Sequence, residues 1–161
     1  MDNADQQSAF ELVLNTQMNS DRTDVAKKNR DAVIDAYQRM LKGEMEAWWN
    51  LFDPAVEFYE ADSLPYGCTA RGLPATQAAI GAMFAAWSHL RVEIENFIAT
   101  GDLVINYCRM TGTSKKTGKV YDGLCAEVYR FRHGKIIEMR PVYWDTHKVR
   151  EVCGLEAGPC P

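Results

Sequence analysis

Residues 129–140 read Tyr-Arg-Phe-Arg-His-Gly-Lys-Ile-Ile-Glu-Met-Arg, two runs of strand-forming residues broken by His133-Gly134. Side chains along a strand alternate between faces, and a tight turn needs a residue that tolerates positive φ, so this pattern predicts a β-hairpin. Its arms extend over Lys119–Arg132 and Lys135–Trp144. Upstream, Leu103–Thr113 and Arg91–Ala99 also read as strands. The polar segment Ser114–Gly118 is a second hairpin signal, and Thr100-Gly101-Asp102 separates the first two strands.

Nearer the N-terminus the apolar period changes from two to about 3.6. Between Asp24 and Lys42, Val33, Ile34, Tyr37, Met40 and Leu41 recur at helical spacing, with Thr23 placed to cap the helix and Gly43 to end it. Glu44–Phe52 reads as a short helix turning Met45, Trp48, Trp49 and Phe52 inward, stopped by Asp53-Pro54. Ala55–Glu60 alternates as a strand and enters the turn-rich loop Ser63-Leu64-Pro65-Tyr66-Gly67. Pro74 then opens a third helix, whose stripe of Ile80, Met83, Phe84 and Trp87 runs to about Leu90. Helices followed by antiparallel strands predict an α+β domain, with three helices packed on a curved, mostly antiparallel sheet that can close around a cavity. The expected organisation is an N-terminal extension at 1–22, the domain at 23–148 and a tail at 149–161.

The 161 residues suit one domain with a real core, and 47% hydrophobic with 25% charged residues is ordinary globular composition. A net charge of -4 argues against a general nucleic-acid surface. No window approaches the ~20 apolar residues of a membrane span, and the N-terminus is acidic and polar, so the expectation is a soluble, cytoplasmic protein without a membrane partner. Five scattered cysteines without a CxxC motif fit neither a disulfide framework nor a zinc site. Only Cys153 and Cys160 are close enough in sequence to suggest a pair. His89, His133 and His147 lack metal-ligand spacing, no glycine-rich phosphate loop is present, and neither metal nor cofactor is expected.

The order helix, helix, strand, loop with Leu64-Pro65-Tyr66-Gly67 and Arg71-Gly72, helix and four strands ending in Tyr129–Arg140 resembles the nuclear transport factor 2-like (cystatin-like) cone-shaped barrel. Within that superfamily the chain most resembles the SnoaL-like, ketosteroid isomerase-related branch over about residues 30–148, including the closing Pro141-Val142-Tyr143-Trp144-Asp145-Thr146. The resemblance implies a pocket enzyme working without a cofactor, or a non-catalytic binding or scaffold protein of the same fold. It also implies a homodimer formed through the open sheet face, for which Val92, Ile94, Val104 and Val128 supply apolar residues.

Alternation assigns the inward faces. Val56, Phe58 and Glu60 share one, Glu127, Tyr129 and Phe131 a second, and Met139, Pro141, Tyr143 and Asp145 a third. A carboxyl among apolar neighbours loses hydration and holds its proton more tightly, which makes it a usable acid or base near neutral pH. By resemblance, Glu127 takes the position of a protonated acid that donates to an enolate oxygen. The isomerase base position falls on Phe58, leaving Glu60, two residues on, as the substitute. The tyrosine of the oxyanion hole falls at or beside Tyr37, an ungapped count landing on Ala36, and these departures weigh against ketosteroid isomerisation itself. The expected reaction is proton transfer on an apolar, carbonyl-bearing small molecule: isomerisation, cyclisation or dehydration. Candidate catalytic residues are Glu60, Glu127, Tyr37, Tyr143 and Asp145. Trp48, Trp49, Phe58, Met83, Phe84, Trp87, Tyr129 and Met139 are expected to line the pocket. Each has a plainer reading: Glu60 solvated at the loop, Glu127 paired with Arg109 or Arg140, Asp145 capping the last strand's end, and the aromatics filling the core.

Overall fold

The computed structural model describes residues 24–40 and 42–155. The expectations for residues 1–22, Thr23, Leu41 and Cys160 lie outside the described residues. Helix α1 (Asp24–Met40) buries Ala26, Asn29, Val33, Ala36 and Tyr37, a single stripe at three- and four-residue spacing. Gly43, at φ +88°, takes the left-handed conformation after its end and donates its N–H to the Met40 carbonyl. Helix α2 is only Met45–Trp49, and Phe52 begins strand β1 (Phe52–Glu60). Tertiary pairing overrides the helical reading here, because the Leu51 carbonyl accepts Ile136 N–H at 2.8 Å and Phe52 registers with Ile136. Pro54 sits within β1 where its register with β6 is interrupted, a position that tolerates the missing N–H.

A short strand, β2 (Cys68–Arg71), follows the loop and pairs antiparallel with β1. Its four residues are too few for alternation to register in the sequence. Helix α3 (Leu73–Ala86) ends earlier than its stripe suggests, and Trp87 is the first residue of β3 (Trp87–Thr100). Strand pairing again decides the boundary: Trp87 registers with Ser114, and the Ala86 carbonyl accepts Lys115 N–H. Strands β4 (Leu103–Ser114), β5 (Val120–Arg132) and β6 (Lys135–Tyr143) complete a six-stranded sheet in the order β2-β1-β6-β5-β4-β3. Among the described residues only the β1–β6 pairing is parallel. The β5–β6 turn has positive φ at both His133 (+53°) and Gly134 (+74°), as a two-residue turn matched to strand twist requires.

The helices cover the concave face, α1 against β3 and β4 and α3 against β1, β2 and β3. One core cluster, around Tyr37, Trp48, Phe58 and Tyr129, lies beneath α1 and α2. A second, around Trp87, Cys108, Tyr121 and Tyr143, fills the other end. The segment expected to begin a tail is instead the continuation of a helix, α4 (Thr146–Val152), and Val149, Val152 and Cys153 are buried in this second cluster. The apolar residues expected on the outer sheet face are mostly elsewhere. Val104 is fully buried in the core, and Val92 and Ile94 border the interior cavity. Val128 alternates with inward Tyr129 and lies on the outer face, opposite Ile105 in register.

Candidate active site

The concave side of the sheet encloses a cavity of about 370 Å³. Its wall is apolar for the most part. Trp48, Trp49, Met83 and Phe84 contribute from the helices and Phe58 and Met139 from the strands, while Tyr37, Glu60, Gln77, Glu127 and Tyr143 bring in polar groups. All five methionines among the described residues border it: Met40, Met45, Met83, Met110 and Met139. Their unbranched, polarisable side chains give the wall an adaptable shape. Trp87 and Tyr129 do not border the cavity. Trp87 packs over Gly112, where an added Cβ would lie 3.2 Å from its ring, and Tyr129 is fully buried behind the wall.

At one side of the cavity two strands and a helix gather four polar side chains. Asn106 on β4 and Glu127 on β5 are register partners, and Tyr37 reaches them from α1. Glu127 Oε2 accepts from Asn106 Nδ2 at 2.6 Å, from the Tyr129 hydroxyl at 2.7 Å, and from the Tyr37 hydroxyl. Asn106 Nδ2 also donates to the Tyr37 oxygen at 3.1 Å. Burial, reinforced by the Glu127 charge, holds both tyrosine hydroxyls well above their usual pKa, so they keep their protons and donate. This reverses the expected role of Glu127. Its clustered oxygen is an acceptor for three donors, so Oε2 has no room to carry a proton toward a ligand. Oε1 makes no hydrogen bond among the described residues and is the oxygen left for a ligand.

The expected ion pairs to Glu127 are absent from the described residues. Arg109 forms a bidentate pair with Asp122, and Arg140 binds Glu138 and stacks over the Tyr59 ring. Asn106 was not singled out in the sequence, although the signal exists. It occupies an inward position between Val104 and Cys108, where an amide is costly unless partnered.

Glu60 closes β1 and is 4% exposed, so it is not the solvated loop residue of the plainer reading. Its carboxyl accepts only the Ala61 N–H, at 3.3 Å, among the described residues. Desolvation is the main cause raising its pKa to about 8, with the Glu127 charge adding to it. Glu60 therefore enters the cavity as a neutral carboxylic acid at pH 7. Tyr143 borders the same region, its oxygen accepting from the Tyr66 hydroxyl at 3.4 Å, and burial raises the pKa of both phenols. Asp145 does not reach the cavity. Its carboxylate accepts Lys148 N–H at 2.9 Å and caps α4, because a helix start leaves N–H groups unpaired. No group of three or more His, Cys, Asp or Glu among the described residues could hold a metal ion. No helix among them is long and apolar enough to cross a membrane.

A model of the SnoaL-like domain matches residues 31–139, which run from within α1 through most of β6 and include every member of the Glu127 cluster. The chain belongs to the SnoaL-like family. Solved structures show the same fold. Bal32a, from a soil-derived mobile gene cassette, aligns with a TM-score of 0.71 at 22% identity, covering 80% of this chain and 98% of that one. An NTF2-like protein from Burkholderia thailandensis E264 aligns at 0.70 with 25% identity, covering 77% and 95%. TerC, co-crystallised with polyporic acid, aligns at 0.67 with 20% identity, covering 79% and 98%. Comparison with curated protein sequences gives no match. The family thus fixes the cone-shaped α+β architecture, and a fold alone does not determine what its cavity does.

Proposed function

We propose that the protein catalyses cofactor-independent acid–base proton transfer on an apolar small molecule carrying a carbonyl group. The observation that carries this reading is the contrast between two carboxyls on one apolar cavity. Glu60 is stripped of water and neutral, whereas Glu127 is gripped through one oxygen by three donors. One carboxyl kept neutral by burial and a second held in place by three donors give the cavity a group that can donate a proton and a group that can receive one.

In the proposed reaction Glu60 donates to the substrate carbonyl oxygen, with the Tyr143 hydroxyl beside it. Glu127 Oε1 removes a proton from the adjacent carbon. Negative charge moves onto the carbonyl oxygen, where a donor in a dry cavity is worth more than in water. The proton then returns at another carbon (isomerisation), the enol attacks a second carbonyl whose oxygen takes up the proton (cyclisation), or a neighbouring hydroxyl takes the proton from Glu127 and leaves as water (dehydration). Tyr37, Tyr129 and Asn106 act as positioning residues that fix the orientation of the Glu127 carboxylate.

Deuterium exchange into the α-carbon of a panel of apolar aryl and alicyclic ketones tests this reading. Exchange by the wild-type protein and its loss in Glu127→Gln and Glu60→Ala are expected, since a positioned acid or base contributes about 10²–10⁴-fold. Ketones that raise the unfolding temperature without any exchange would instead establish a binding protein with this cavity and overturn the proposed catalysis.

A further inference from the structure

Cys108 and Cys125 are buried nucleophiles that the proton transfer does not use. They are register partners on β4 and β5, 1% and 5% exposed, and both are free thiols bordering the cavity. Residues directly opposite in an antiparallel ladder lie about 4.5–5.5 Å apart between Cα atoms, inside the about 4.4–6.8 Å that a disulfide spans. Cys108 Sγ donates to the Cys125 carbonyl at 3.4 Å, which sets its sulfur on the partner's side of the ladder. Interaction with Cys108, together with burial, holds the Cys125 thiol far above its usual range and so protonated in the resting protein. No other described cysteine has such a partner. Cys68 faces Glu60 in the β1–β2 register, and Cys153 follows α4 in the second core cluster.

We propose that Cys108 and Cys125 form a modification site, a cross-strand dithiol in the cavity wall that hydrogen peroxide, small enough to enter the cavity, converts to a disulfide. The Cys108 thiol loses its proton to water, and its sulfur attacks a peroxide oxygen. The O–O bond breaks, and after proton return a sulfenic acid and one water remain. The second sulfur then displaces hydroxide from the sulfenic sulfur, the S–S bond forms, and the displaced hydroxide takes the second thiol proton to leave as water. Two thiols supply two electrons, and one peroxide becomes two waters. The linkage joins the wall beneath a ligand to its neighbouring strand without requiring the backbone to move.

The test treats the full chain with hydrogen peroxide, blocks remaining thiols with N-ethylmaleimide, and maps the peptides without reduction. A cross-linked pair joining Cys108 to Cys125, abolished by dithiothreitol, is the expected result. Methionine sulfoxide formed on the nearby Met83 and Met110 survives dithiothreitol and is thereby told apart. The cross-link persists in Cys68→Ser/Cys153→Ser and is lost in Cys108→Ser. Recovery of Cys108 and Cys125 as separate alkylated thiols or separate sulfinic acids, or Cys108 joined to a different cysteine, would overturn the proposal. The wild-type map decides the matter even if the Cys108 variant fails to fold, and it is independent of whether the cavity turns over a ketone.

Discussion

Replacing Glu60 by Gln removes one titration while keeping a side chain of the same shape that still donates a hydrogen bond. In the folded protein the Glu60 carboxyl titrates at about 8 in place of its ordinary 4.5, mainly because burial disfavours the charge. At about 1.4 kcal/mol per decade of proton affinity, that difference amounts to about 5 kcal/mol. Below pH 4.5 the group is protonated in both the folded and unfolded chains, so it leaves stability unchanged. Between 4.5 and about 8 the unfolded chain releases the proton while the folded chain retains it, and wild-type stability declines. Above about 8 both states are ionised and the loss levels off. Urea unfolding at a series of pH values from 4 to 9 should therefore show Glu60→Gln gaining steadily on the wild type, by up to about 5 kcal/mol. That is a large share of the ~5–15 kcal/mol that stabilises a typical domain. Ketone exchange by the wild type should fall over the same upper range as the acid is lost. Two stability curves separated by a constant amount from pH 4 to 9 would refute the reasoning, because they would mean that Glu60 ionises in the folded protein as it does in water.

Tyr129→Phe removes a fully buried donor to the Glu127 carboxylate at 2.7 Å, and a hydrogen bond to a charged group is worth about 1.5–3 kcal/mol, so the unfolding temperature should drop by several degrees. An unchanged temperature would deny that the cluster contributes to stability. We further propose that two copies pair through the outer sheet face, where Ile105 and Val128 are register partners and Ile98 and Val142 are exposed. Val128→Glu should convert a dimer in sedimentation to a single chain, and a wild-type protein that sediments as a single chain at micromolar concentration contradicts this pairing.

Much of the fold was legible because its signals are local. The alternation of Tyr129–Arg132 and Lys135–Met139 around His133-Gly134, and the stripe containing Val33 and Tyr37, each report which face of an element meets apolar surroundings. The boundaries at Phe52 and Trp87 were misread for a common reason. Both residues extend an apolar helical spacing, and only hydrogen bonds to β6 and β4, distant in sequence, pull them into strands. Glu60 and Glu127 were recognisable as inward carboxyls, but the hydrogen-bond donors that meet each of them were not. An alternation pattern shows that a group faces inward and is silent about how many donors meet it there. Asp145 shows the converse, since its place beside the inward register of β6 suggested the pocket while its local geometry makes it a helix cap.

The sequence by itself therefore determined the α+β architecture, the family resemblance and the two acidic side chains turned toward an apolar interior, because periodicity and turn chemistry act over a few neighbouring residues. Only the tertiary structure decided that Asn106, Tyr129 and Tyr37 converge on one oxygen of Glu127, that Glu60 meets almost no donor, and that Cys108 faces Cys125. These relations join residues up to 90 positions apart. They depend on strand register and on the exclusion of water, and neither quantity exists until the sheet has closed.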